Sequence, residues 1–169
     1  MLNAPVGLAD ADFFVLKFVC EAFLKNKGTE TIPTESIIDA AKLAGLPQQE
    51  IEDAAQALGE NTLLDAQSFF DEKTYPAQLH PTDAGFDLFY RATIPNYEDI
   101  IQEVGLSVLN LKYGQGELSD IAAAVKQPEM LVDHILKLLE GQGFNKESPP
   151  RAAGYFNLSV TFLSSVSAW

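Results

Sequence analysis

The sequence predicts a mainly α protein with small β-hairpins, an α+β chain built as two similar halves in tandem. Three observations predict it. Apolar residues recur at helical spacing through most of the chain. Two stretches, around residues 62–80 and 144–162, change to strand-forming composition on either side of charged or proline-containing turns. The order helix, short extended piece, helix, helix, hairpin then occurs twice, once on each side of Ile94-Pro95-Asn96. With 169 residues, 47% hydrophobic and 21% charged, the chain has an ordinary globular composition, which excludes disordered and collagen-like architectures.

The first helix is predicted over Asp12–Lys27, ended by Gly28, with Lys25 and Lys27 in its last turn where the helix dipole favours cations. Its apolar residues, among them Phe13, Phe14, Leu16, Phe18, Val19, Phe23 and Leu24, do not fit one narrow stripe, so it reads as a helix buried between elements or subunits. Thr31-Ile32-Pro33 is a short extended piece. The second helix runs over Thr34–Leu43, with Thr34 as N-cap and Ile37, Ile38 and Ala41 facing inward, and Gly45 breaks it. Pro47 opens a third helix that places Ile51, Ala54, Ala55 and Leu58 on one face and ends at Gly59 and Asn61. Thr62–Phe70 and Tyr75–His80 form a hairpin around the charged turn 71–74. Thr82 caps a helix that carries Phe86, Leu88, Phe89 and Tyr90.

Pro95 disfavours helix at Ile94 and marks the boundary between domains 1–94 and 95–169. Beyond it a helix spans Tyr97–Tyr113 with Ile101, Val104, Val108 and Leu111 inward. Gly114-Gln115-Gly116 breaks that helix and Glu117-Leu118 is extended. Ser119 caps a helix over Asp120–Lys126, and Pro128 opens another over Glu129–Glu140. Phe144–Lys146 and Tyr155–Phe162 form a second hairpin around 147–151. Pro47, Ile51, Ala55 and Leu58 stand at the same offsets as Pro128, Val132, Leu136 and Leu139, which any amphipathic helix also produces. The neighbouring short helix and hairpin in both halves give the match its weight as an internal duplication.

This order of elements resembles the winged-helix fold, twice over. The segment Leu79-His80-Pro81-Thr82-Asp83-Ala84-Gly85 resembles the leucine–threonine–x–x–glycine ending of the wing in bacterial winged-helix proteins of the MarR and PadR type, with His80-Pro81 between the leucine and the threonine. The resemblance implies two winged-helix-like domains whose third helix is the DNA-reading helix. For tandem winged helices that serve in chromosome-segregation and other multiprotein assemblies, it implies a face that holds a peptide or another domain instead.

Charge weighs between these two expectations. The chain carries 24 acidic and 11 basic residues, a net charge of −13. A DNA-reading helix supplies Arg, Lys, Asn or Gln to base edges and cations to phosphates. The helix over Gln48–Glu60 holds four carboxylates and no cation, which phosphates repel, although Gln48, Gln49 and Gln56 have base-reading chemistry. Residues 1–94 carry 6 basic and 15 acidic residues, residues 95–169 carry 5 and 9. A regulator that contacts DNA is therefore read through the second half, by Lys137, Lys146 and Arg151. The leading expectation is a protein partner, of basic character.

No pattern of catalytic or metal-binding residues stands out. Two histidines, His80 and His134, lie in different halves, and the one cysteine, Cys20, sits in an apolar helix, so no zinc-ligand spacing arises. No glycine-flanked serine elbow or phosphate loop is present. The expectation is a non-catalytic protein with no cofactor and no metal. Met1–Asp12 lacks the basic start of a signal peptide, and the most apolar stretch, Phe13–Leu24, contains Lys17 and Glu21 and is too short to span a membrane. A cytoplasmic protein is expected. Phe13, Phe14, Phe18, Phe86, Phe89 and Tyr90 exceed the aromatic surface that a half of this size easily buries, and predict a homodimer or partner surface.

Overall fold

The computed structural model describes residues 7–26, 28, 31–68, 75–110, 115–141 and 155–157. The chain is mainly helical, with seven helices among the described residues and two small antiparallel sheets. It divides into two compact units, Met1–Pro95 and Asn96–Trp169.

In the first unit α1 spans Asp10–Lys25. Asp12 Oδ2 accepts the Ala9 backbone N–H at 3.0 Å, satisfying a donor at the helix entrance. Beyond its end, the Gly28 N–H reaches back to the Phe23 carbonyl at 2.9 Å with φ of +77°, the left-handed conformation expected of a glycine stop. Its buried residues (Phe13, Val15, Leu16, Val19, Cys20 and Phe23 among them) cover a wide arc, because α2, α3, the sheet and α4 all pack against it.

Strand β1 (Ile32–Pro33) leads into α2 (Thr34–Leu43). The sequence reads Thr34 as the cap of this helix; the structure puts Pro33 at that position and buries Thr34 completely in the first turn. The Thr34 hydroxyl donates to the Pro76 carbonyl at 2.5 Å, and its N–H donates to the Ala77 carbonyl at 3.1 Å. A short side chain at the start of a helix can serve either neighbour, and here the chain entering the sheet claims it. α2 stops in a Schellman motif: Leu46 N–H bonds the Ala41 carbonyl and Gly45 N–H the Lys42 carbonyl, with Gly45 at φ +79°.

Pro47 precedes α3 (Gln48–Glu60), whose buried face is Ile51, Ala54, Ala55 and Leu58. Gly59 lies within the helix rather than ending it, and its lack of a side chain permits close approach of Ala66, whose Cβ would stand 2.7 Å from a Cβ at position 59. The same pair of back-bonds closes the helix, Leu63 N–H to Leu58 and Thr62 N–H to Gly59, but the left-handed position is held by Thr62 at φ +58°. A β-branched residue is strained there. Thr62→Gly is expected to stabilise the protein by about 1 kcal/mol, read as a rise in the urea midpoint; an unchanged or lower midpoint contradicts it.

Strands β2 (Leu64–Gln67) and β3 (Gln78–Pro81) pair antiparallel, Leu64 with Pro81 and Ala66 with Leu79, and β1 joins the other edge of β3 to give the order β1-β3-β2. The predicted charged turn at 71–74 lies outside the described residues. Leu64 and Leu79 turn into the core. Helix α4 (Asp83–Thr93) is capped as the sequence predicts: Thr82 Oγ1 accepts the Gly85 N–H at 3.1 Å, and its hydroxyl lies 2.8 and 3.0 Å from the Thr62 and Leu63 carbonyls.

In the second unit α5 (Tyr97–Leu109) buries Tyr97, Ile100, Val104 and Val108. Ile101 is half-buried rather than central. Strand β4 (Gln115–Glu117) leads to α6 (Leu118–Val125), where Glu117, and not Ser119, is the N-cap residue. Helix α7 (Glu129–Gly141) follows Pro128. Strand β5 (Tyr155–Asn157) pairs antiparallel with β4. Of the predicted second hairpin, 144–154 and 158–162 lie outside the described residues.

The two units share more than helical periodicity. Eight residues, 26–33 and 110–117, separate the first and second helices of each unit, and the third helices are both 13 residues long. In that register buried Phe13, Leu16 and Cys20 match buried Tyr97, Ile100 and Val104, and buried Ile37 and Ile38 match buried Ile121 and Ala122. In both units the strand before the second helix pairs antiparallel with a strand that follows the third.

Candidate functional site

The exposed face of α3 is acidic throughout. Helical spacing sends Ile51, Ala54, Ala55 and Leu58 inward against α1 and α2, so the opposite face must carry Gln48, Gln49, Glu50, Asp53, Gln56 and Glu60, all exposed, with Glu52 half-buried beside them. Each glutamine is four residues before a carboxylate and donates to it: Gln48 Nε2 to Glu52 at 2.6 Å, Gln49 Nε2 to Asp53 at 2.9 Å and Gln56 Nε2 to Glu60 at 2.8 Å. Such pairs add a few tenths of a kcal/mol each to the helix. They also hold the amide donors against acids on their own helix, which counters their reading as base contacts.

The last turns of α1, α2 and α4 contain Lys25, Lys42 and Arg91, whereas that of α3 has no basic residue and ends in Glu60. A cleft of about 590 Å³ opens there, between the end of α3 and the sheet, lined in part by Gln56, Gly59, Glu60, Thr62, Asp65 and Pro76. Asp65 is brought to it by the register of β2, in which Leu64 points to the core and Asp65 to solvent. Sequence reading finds the four carboxylates of α3 but not Asp65, because strand register depends on the partner strand.

Of the nucleic-acid candidates, Lys137 alone is among the described residues. Lys137 lies on α7 with its ammonium 2.9 Å from Asp133 Oδ2, one turn earlier, so its charge is partly offset; Lys146 and Arg151 lie outside the described residues. The aromatic residues proposed as a partner surface separate into two groups. Phe13, Phe86, Phe89 and Tyr90 are buried, with Phe86 5.5 Å from the Phe23 ring and Tyr90 5.6 and 5.3 Å from the rings of Phe86 and Phe89. Phe14 and Phe18 remain half-buried, their rings stacked at 6.4 Å.

Cys20 is fully buried, and burial, with the Glu21 charge adding to it, pushes its thiol far above the usual range. It packs as a small core side chain, as the apolar helix around it predicts. Burial likewise pushes the Tyr90 phenol up to about 12. His80 packs edge-on to Phe23 at 4.7 Å and directs Nδ1 to the Pro81 carbonyl at 3.0 Å, while His134 is buried in the other unit. Among the described residues no group of three or more His, Cys, Asp or Glu could hold a metal ion, and no helix is long and apolar enough to cross a membrane. Comparison with known protein families, with curated proteins and with solved structures finds no match.

Proposed function

We propose that the chain is a non-catalytic binding protein of two winged-helix-like units in tandem, and that its first unit presents α3 to a basic protein partner. The repeated helix–strand–helix–helix order, with its repeated strand pairing, supports the winged-helix reading. The observation that carries the function is the face of α3: carboxylates without a cation, and glutamine amides already committed to those carboxylates. Phosphates are repelled by such a face, while lysine and arginine side chains are attracted and steered to it.

The test is binding of a labelled Lys/Arg-rich peptide and of random-sequence duplex DNA, side by side at low salt. The wild-type protein is expected to retain the peptide and not the DNA. Reversal of α3 charge in Glu50→Lys/Asp53→Lys/Glu60→Lys is expected to weaken the peptide by about tenfold or more. The control Glu98→Lys/Asp99→Lys/Glu103→Lys makes the same change of net charge on α5 and is expected to leave most of the binding intact. Equal losses in the two variants would reduce the effect to net charge and remove α3 as the site. DNA retention that falls steeply with salt and is lost in Lys137→Glu would favour a DNA-binding regulator instead.

A further inference from the structure

We infer, on the reading of the first unit as the holder of a basic partner, that the free edge of β2 receives that partner as an added strand, with a Lys or Arg of the bound segment opposite Asp65. β2 pairs with β3 alone, so its other edge faces no strand among the described residues. Opposite residues of an antiparallel pair alternate between exchanging both backbone hydrogen bonds and exchanging none. Leu64 stands opposite Pro81, which has no N–H to give, and the preceding Leu63 carbonyl accepts the Thr82 N–H at 3.4 Å. Leu64 therefore belongs to a pair that exchanges none, and by the two-residue period so does Ala66, opposite Leu79. The N–H and C=O of both residues point away from β3, to the free edge. The opposite edge of the sheet, β1, is two residues long and ends in Pro33, which blunts it. β2 contains neither proline nor lysine.

The cleft beside the end of α3 follows this strand. Leu64, Asp65 and Ala66 all line it, with Thr82 and Pro76 just beyond the two ends of the pairing. Glu60 and Asp65, both exposed, are its charged residues among those described, and no cation stands with them. An added strand would exchange its bonds with Leu64 and Ala66, which leaves Asp65 in the close, non-bonded kind of pair. Asp65 is on the face turned from the core, so a Lys or Arg opposite it meets the carboxylate, while the residues flanking that cation turn to the face of Leu64 and Ala66. A segment that alternates basic and β-branched residues fits both faces. A second copy of β2 does not. The register that pairs all four free groups sets Leu64 against Ala66 and Asp65 against Asp65 of the second copy, like charges directly opposite.

The experiment is amide hydrogen exchange of the full chain, read by NMR, with and without a saturating alternating Val/Lys peptide, beside a titration of the same peptide. Bound peptide is expected to slow exchange of the Ala66 amide by about tenfold or more. The peptide N-methylated along its backbone keeps every charge but loses its donors, and is expected to bind about tenfold more weakly or worse. Asp65→Lys is expected to weaken the unmodified peptide by a similar factor. An Ala66 amide unprotected in the complex overturns the strand addition, as does equal binding of the N-methylated peptide. If the peptide is nonetheless retained, and is weakened by charge reversal on α3, the basic-partner reading stands without it. No retention of the peptide overturns both.

Discussion

Gly85→Ala is expected to destabilise the first unit by about 3 kcal/mol or more, although alanine is the better helix former by about 1 kcal/mol. Gly85 is buried in the first turn of α4, and a Cβ there would stand 2.0 Å from the Leu63 carbonyl oxygen, 3.1 Å from its carbon and 3.4 Å from Leu16 Cδ1. The nearest obstacle is backbone, and that backbone is held. Leu63 lies between the end of α3 and β2, with its N–H bonded to Leu58 and its carbonyl within reach of the Thr82 hydroxyl at 3.0 Å. Relief of the clash would have to pull the α4 entrance from the sheet or break the Thr82 cap. Urea unfolding decides the matter. A stability equal to or above wild type would mean that helix propensity dominates and that α4 does not approach Leu63 so closely. Ala84→Gly at the exposed neighbouring position is the control, expected to lose about 1 kcal/mol from propensity alone.

The second large effect concerns Thr34. At an exposed N-cap aspartate is as good as threonine or better, so a cap reading predicts that Thr34→Asp is neutral. In the structure Thr34 is 0% exposed and its hydroxyl is a donor to the Pro76 carbonyl. An ionised aspartate has no proton to give, would face that carbonyl with a like partial charge, and would be buried without a counter-ion. Thr34→Asp is expected to cost about 3–5 kcal/mol, whereas Thr34→Ser keeps the donor and should lose about 1 kcal/mol for the missing methyl. Thermal and urea unfolding of the two variants provide the measurement. Near-wild-type stability of Thr34→Asp would return Thr34 to a capping role.

These two positions also mark how far the sequence is legible. Gly85 and Thr82 are visible in it as parts of a threonine–x–x–glycine pattern, and the cap at Thr82 follows from local chemistry: a hydroxyl three residues before an amide at the start of an apolar helix. The reason that residue 85 must be glycine is not local, since Leu63 lies 22 positions away in the chain. Local chemistry reads Thr34 as the cap of α2 in the same way, and only the approach of the Pro76–Ala77 segment turns its hydroxyl elsewhere. For the candidate site, the carboxylates of α3 and the spacing of its glutamines are plain in the sequence, because helix periodicity assigns their face. The cleft beside Glu60, with Asp65 on its wall, is assembled by strand register and is not.

By itself, then, the sequence determines the helices, the inward faces of α2 and α3, the glycine stops at Gly28 and Gly45, the repeated order of helices and the acidity of α3. All of these depend on residues within a few turns of one another, where the 3.6-residue period and local hydrogen bonding act. Only the tertiary structure decides that β5 takes β4 as a partner, that Phe13, Phe86, Phe89 and Tyr90 go to the interior while Phe14 and Phe18 keep surface, and that Thr34 anchors a distant segment. Those outcomes are set by contacts between residues far apart in the chain. An apolar ring or a small hydroxyl carries no label for which of several neighbours will bury it until the elements are packed.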